Sequence, residues 1–221
     1  MNLRRFQAPA RILAWLLSLT FLTGCQTAYY HTMEKFGVHK RDILVDRVEE
    51  ARDSQQEAKE QFRSALQRFN EVLGVQSGAL EEQYNKLKAE LDRSEAKADA
   101  VRSRIDDVED VAGALFDEWK DELEQYSNAS LRRDSQAKLE RTRRQYGQLI
   151  GAMKRAEERI DPVLSAFRDQ VLYLKHNLNA QAIASLKGEL KSIEGDIGSL
   201  IREMERSISE ADSFISAMAR D

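Results

Sequence analysis

The chain has 221 residues, with 34 Lys and Arg against 38 Asp and Glu, a formal net charge of −4. Charged residues make up 33% of it, aromatics 7%, and there are two prolines, a composition that favours long helices or coiled coil over a mixed globular fold. The acidic balance gives no electrostatic reason to expect nucleic acid as a partner, and a single cysteine, Cys25, excludes an internal disulfide framework.

At the N-terminus, Arg4, Arg5 and Arg11 precede an apolar run from Ile12 to Leu22. A charged n-region followed by a short apolar stretch reads as a signal peptide, because the run is about half of the ~20 residues that a bilayer core requires. Its ending, Leu22-Thr23-Gly24-Cys25, resembles the lipobox of bacterial lipoproteins. That resemblance implies a covalent diacylglyceryl lipid on Cys25 and cleavage after Gly24. Residues 1–24 are therefore expected to be a signal peptide, residues 25–41 a lipidated juxtamembrane segment, and residues 42–221 one elongated helical domain. The mature chain would carry 31 basic and 38 acidic side chains, since the three arginines leave with the signal. In such lipoproteins an Asp after the cysteine implies retention at the inner membrane; Gln26 stands there instead, which implies the outer membrane. Tyr29 and Tyr30 suit a membrane interface, with Gly37 as a hinge.

The first long segment carries Leu44, Val48, Ala51, Gln55, Ala58, Phe62, Ala65, Phe69 and Val72 at alternating steps of four and three, a heptad seam broken in character by Gln55 alone. Gly74, Ser77 and Gly78 end it. A second seam runs through Leu80, Tyr84, Leu87, Leu91, Ser94, Ala98, Val101, Ile105, Val108, Ala112, Leu115 and Trp119 toward Tyr126, about 70 Å of helix. The turn 127–130 offers Ser or Asn as an N-cap.

The third seam is Leu139, Thr142, Tyr146, Leu149, Met153, Ala156, Ile160, Val163, Phe167, Val171, Leu174 and Leu178. Two consecutive four-residue steps follow Pro162, so the helix is expected to bend there, or to restart at Asp161-Pro162. The fourth runs Ile183, Leu186, Leu190, Ile193, Ile197, Leu200, Met204, Ile208, Ala211, Ile215 and Met218, with its own four-four step from Leu200 to Ile208. Short connections make successive helices antiparallel. The expected fold is all-α: an elongated antiparallel bundle or coiled coil of three to four long helices.

Few residues suggest chemistry. Arg132, Arg133, Arg141, Arg143 and Arg144 are candidate contacts for an anionic surface, against the plainer expectation that Arg132, Arg133, Lys138 and Arg141 pair across the turn with Asp117, Glu118, Asp121, Glu122 and Glu124. His31, His39 and His176 lack a second ligand at helical metal spacing, and no nucleophile elbow or phosphate-binding glycine loop occurs. No metal, other cofactor or small-molecule substrate is expected, and no enzyme. Gly188, Gly195 and Gly198, each costly in a helix, would permit close approach of another helix.

The stretch Lys40-Arg41-Asp42-Ile43-Leu44-Val45-Asp46-Arg47-Val48, with Ala51-Arg52-Asp53, Ala58-Lys59-Glu60-Gln61-Phe62 and the block from Leu174 to Ile183, resembles an uncharacterised domain-of-unknown-function family of Gram-negative helical lipoproteins. The resemblance spans nearly all the mature chain and implies no reaction. The functional expectation is a lipid-anchored structural or protein-interaction component of the cell envelope, a periplasmic coiled-coil rod at the outer membrane with an envelope protein or a second copy as partner. The alternative is a membrane-binding or membrane-remodelling module resembling curvature-binding domains, bent at Pro162 and touching lipid through the arginines.

Overall fold

The computed structural model describes residues 39–73, 80–177 and 180–220. These form α1 (Lys40–Leu73), α2 (Leu80–Leu123), α3 (Ala129–Glu158), α4 (Ile160–His176) and α5 (Ala180–Met218), with no strand among the described residues. The chain divides into two units, Met1–Ile43 and Leu44–Asp221, and the architecture below is that of the second. At 1.5 Å per residue, the 44 residues of α2 extend about 66 Å.

Cross-helix contacts give the topology. Between α1 and α2, Glu50 meets Arg104 at 2.9 Å and Glu57 meets Lys97 at 2.6 Å, so residue numbers rise on one helix as they fall on the other. α2 runs antiparallel in the same way to α3 and then α4, through Lys154–Glu109 at 2.8 Å, Arg102–Asp161 at 2.6 Å and Arg168–Glu95 at 2.5 Å. α5 returns along α4 and α3, where the Tyr173 hydroxyl and Ser185 Oγ are 3.5 Å apart and Arg155 lies 3.9 Å from Glu203. It closes against α1 through Arg52–Asp212 at 3.2 Å and Arg63–Glu205 at 2.9 Å. The result is an up-down-up-down four-helix bundle in which α3 and α4 in series make the third leg. Most of these pairs are solvent-exposed, each worth about 0–1 kcal/mol; they align the helices more than they hold them.

The core is the apolar seam. All nine seam residues of α1, Gln55 included, are buried, and Phe69 crosses the bundle to Phe167 of α4 with ring centroids 6.3 Å apart. Burying a Leu, Val or Phe side chain of this kind contributes roughly 1.5–3 kcal/mol, so the seam outweighs the surface ion pairs. On α2 the expected positions from Leu87 to Leu115 are buried, and Val111, Phe116 and Leu123 join them.

Two expectations change. Along α5 the four-four step from Leu200 to Ile208 is absent: the enclosed residues are Leu200, Met204, Ser207, Ala211, Phe214 and Met218, which keep alternating four and three. Ile208 and Ile215 lie half-buried beside this stripe. Apolarity favours Ile208, but strict heptad geometry turns Ser207 inward. The third leg also restarts rather than merely bends. Helical geometry ends at Glu158, Arg159 sits at φ −83°, ψ −11°, and its N–H reaches back to the carbonyls of Ala156 and Glu157. Pro162, two residues into the new helix, has no N–H to offer the Glu158 carbonyl, and its ring crowds the preceding turn. The four-residue steps Val163, Phe167 and Val171 follow this restart.

Candidate functional site

The residues of the expected anchor, Leu22, Thr23, Gly24 and Cys25, lie outside the described residues, as do Tyr29, Tyr30, His31 and Gly37. The arginines are described. On α3, Arg132 and Arg143 are eleven residues apart, three helical turns, and share one face; Arg133 and Arg144 share the next, and Arg141 lies on a third. All five are exposed. Arg143 is engaged within the bundle, where its Nη2 donates to the Phe116 carbonyl at 3.2 Å and its guanidinium lies 5.3 Å from the Phe116 ring centroid.

The expected pairing across the α2–α3 turn is mostly not made. Among the described residues, Asp117, Asp121, Glu122 and Glu124 form no ion pair with Arg132, Arg133 or Lys138, and Lys138 lies 3.6 Å from Asp134 of its own helix. The turn is held by other groups: Asn128 Oδ1 accepts the N–H groups of Ser130 and Leu131 at 2.9 and 3.2 Å, and Trp119 Nε1 donates to Ser135 Oγ at 2.8 Å. Leu131 remains 57% exposed.

Phe116 also receives Tyr146 edge-on at 5.4 Å. Burial, with a smaller contribution from Glu109, pushes the Tyr146 hydroxyl up to about 12. A phenol that keeps its proton in this environment is a packing group with a polar tip, not a base poised near neutrality.

The most organised polar cluster centres on Glu90. Its carboxylate is 7% exposed, accepts from Gln61 Nε2 at 2.8 Å and lies 2.6 Å from Arg93 Nη2 and 3.9 Å from Arg68 Nε. Ser94 Oγ donates to the Glu90 carbonyl at 2.8 Å. Sequence reasoning passes over Glu90 because one more glutamate beside a heptad seam looks solvated; the only signal was its place between Leu87 and Leu91. With its oxygens already met, the cluster ties α1 to α2. The aromatic pair Phe69 and Phe167 lies beside it, lining a small apolar recess with Ala65, Leu87, Leu91 and Val171.

His39 and His176 are exposed, and no group of three or more metal-ligating side chains occurs among the described residues. No helix among them is long and apolar enough to cross a membrane. A Cβ placed at Gly188 or Gly195 meets nothing within 4 Å, and at Gly198 only the Arg202 side chain at 3.5 Å; no helix among the described residues uses these glycines for close approach.

Among the described residues, the buried polar side-chain atoms without a protein hydrogen-bond partner are both amide atoms of Gln55, the Ser207 hydroxyl and Oε1 of the half-buried Gln145. Gln55 and Ser207 are 0% exposed. The model of one protein family, described as Protein of unknown function (DUF2959), matches residues 29–218. No curated protein and no solved structure matches the chain.

Proposed function

The chain belongs to this family of proteins of unknown function, and from that premise we propose that it is a lipid-anchored, non-enzymatic structural or interaction component of the bacterial cell envelope. The observation that carries the reading is Leu22-Thr23-Gly24-Cys25 at the end of a short apolar run. The family match begins at residue 29, four residues beyond Cys25, so the segment read as signal peptide and lipobox precedes the family domain. A four-helix bundle with an apolar seam along all its legs offers long outer faces for a partner, and the polar cluster at Glu90 is committed to joining two helices.

Acyl chains on Cys25 would supply about 0.8 kcal/mol of membrane affinity per buried methylene. Gln26 after the cysteine favours the outer membrane, with the bundle in the periplasm and an envelope protein or a second copy as partner. Metabolic labelling with a radioactive fatty acid tests the anchor: label should appear on the wild-type chain and vanish in Cys25→Ala. Label that persists in the variant would defeat the proposal. Crosslinking in intact cells, followed by purification from the membrane fraction, then identifies what the bundle touches.

One observation favours the second reading, a bilayer-bending module: the restart of the third leg at Arg159. That reading requires the unlipidated domain, freed of residues 1–25, to bind anionic vesicles at low salt and to release them as ionic strength rises.

A further inference from the structure

A glutamine amide enclosed in a bundle without a partner demands a physical explanation, since nearly all buried polar groups in folded proteins are paired. Gln55 occupies a seam position of α1. On the α5 side it lies between two cross-helix contacts, Arg52 with Asp212 and Lys59 with Glu205. Ser207 of α5 falls within the same interval, between Glu205 and Asp212. The two fully enclosed residues with unpartnered polar groups therefore share one stretch of the α1–α5 interface. On the α2 side, the contacts Glu50–Arg104 and Glu57–Lys97 bracket the same level. The enclosed residues next along the seams include four alanines, Ala51, Ala58, Ala98 and Ala211, with Val101 and Met204 beside them. On α1 the polar layer is flanked by alanine on both sides, where dispersion contacts are fewer than beside larger side chains.

α2, α3, α4 and α5 bring their backbones within 8 Å of one another at several positions, whereas α1 makes few such close approaches and meets its neighbours mainly through side chains. Beyond its apolar seam and the Gln61–Glu90 hydrogen bond, its polar cross-helix ties are largely exposed ion pairs, Arg52–Asp212, Arg63–Glu205 and Glu57–Lys97, which water and salt weaken.

We propose that α1 is a detachable leg, which parts from α5 and α2 while the other helices stay packed, and that the Gln55–Ser207 layer sets how often it does so. In the closed bundle the Gln55 amide and the Ser207 hydroxyl are withheld from water with no protein group to replace it; in the open state water meets both. That difference favours opening at this layer over any apolar layer of the same seam. The device extends the interaction reading above, because parting of α1 would uncover the apolar seams of α2 and α5 to a partner. It stands on the bundle alone, whatever Cys25 carries.

Hydrogen exchange by mass spectrometry, on the full chain in detergent, reads the opening segment by segment. Amides in the middle of α1 should exchange at least ten-fold faster than those of α3 and the C-terminal half of α5. Gln55→Leu, with Gln55→Met as a second variant free of branching at the contact, should slow α1 exchange about ten-fold and leave α3 unchanged. Equal protection of α1, α3 and α5 in the wild type would overturn the proposal, and so would α1 exchange left unchanged or accelerated by both variants. Fatty-acid labelling is independent of this result, so failure of the detachable leg and failure of the anchor are separately visible.

Discussion

Phe62 is fully enclosed on α1, and its truncation shows what the seam contributes. Phe62→Ala removes a ring that the surrounding helices cannot fully replace, so a loss of about 3–5 kcal/mol is expected in denaturant unfolding. Tyr146 predicts a pH effect of definite sign. Its hydroxyl is held at about 12 in the bundle against an ordinary value of 10, so between those values the unfolded chain gives up the proton while the folded one keeps it. The contribution is intact below pH 10 and is lost as pH rises toward 12. Unfolding of Tyr146→Phe, followed across that range, should lack this part of the decline. At this scale the sequence disclosed the seam and one of its exceptions. Gln55 stood out because one amide interrupted eight apolar residues, whereas Ser207 was hidden behind Ile208, an apolar neighbour one position away. Glu90 was illegible because its burial depends on Gln61, Arg68 and Arg93, two of them on another helix.

For the helices themselves, the most testable single group is the N-cap of α3. Asn128 accepts two backbone N–H groups there, and Asn128→Ala should cost about 1 kcal/mol in thermal or denaturant unfolding. Helix existence and direction were readable because long 3.5-residue periods leave few alternatives. The restart at Arg159 was readable only as a choice between a bend and a break, since Pro162 forbids one hydrogen bond but does not dictate which residue leaves the helix. The pairing expected at the α2–α3 turn is mostly not made, for a physical reason. Exposed side chains gain little from opposite charges in high dielectric, so rows of acid and base brought near one another need not join, and Lys138 finds Asp134 on its own helix instead.

For the molecule as a whole, the fold class followed from composition and period together, while the site did not, because no catalytic or metal-binding pattern marks one. One consequence of the composition is directly measurable. With Cys25 its only cysteine, the chain can close no internal disulfide, so its melting temperature should be the same with and without reductant in dilute solution.

The order of the legs also decides how the bundle bears load. α1 runs antiparallel to α5, with Arg52 level with Asp212, so Leu44 and Met218 leave the bundle at the same end. A pull between those two points therefore does not slide one helix along another against the whole seam at once. It peels them apart like a zipper, loading one layer at a time, starting at Leu44 and reaching the Arg52–Asp212 rung before the enclosed Gln55. A helix opened in this way yields to small forces applied slowly, and can close again when the tension is released.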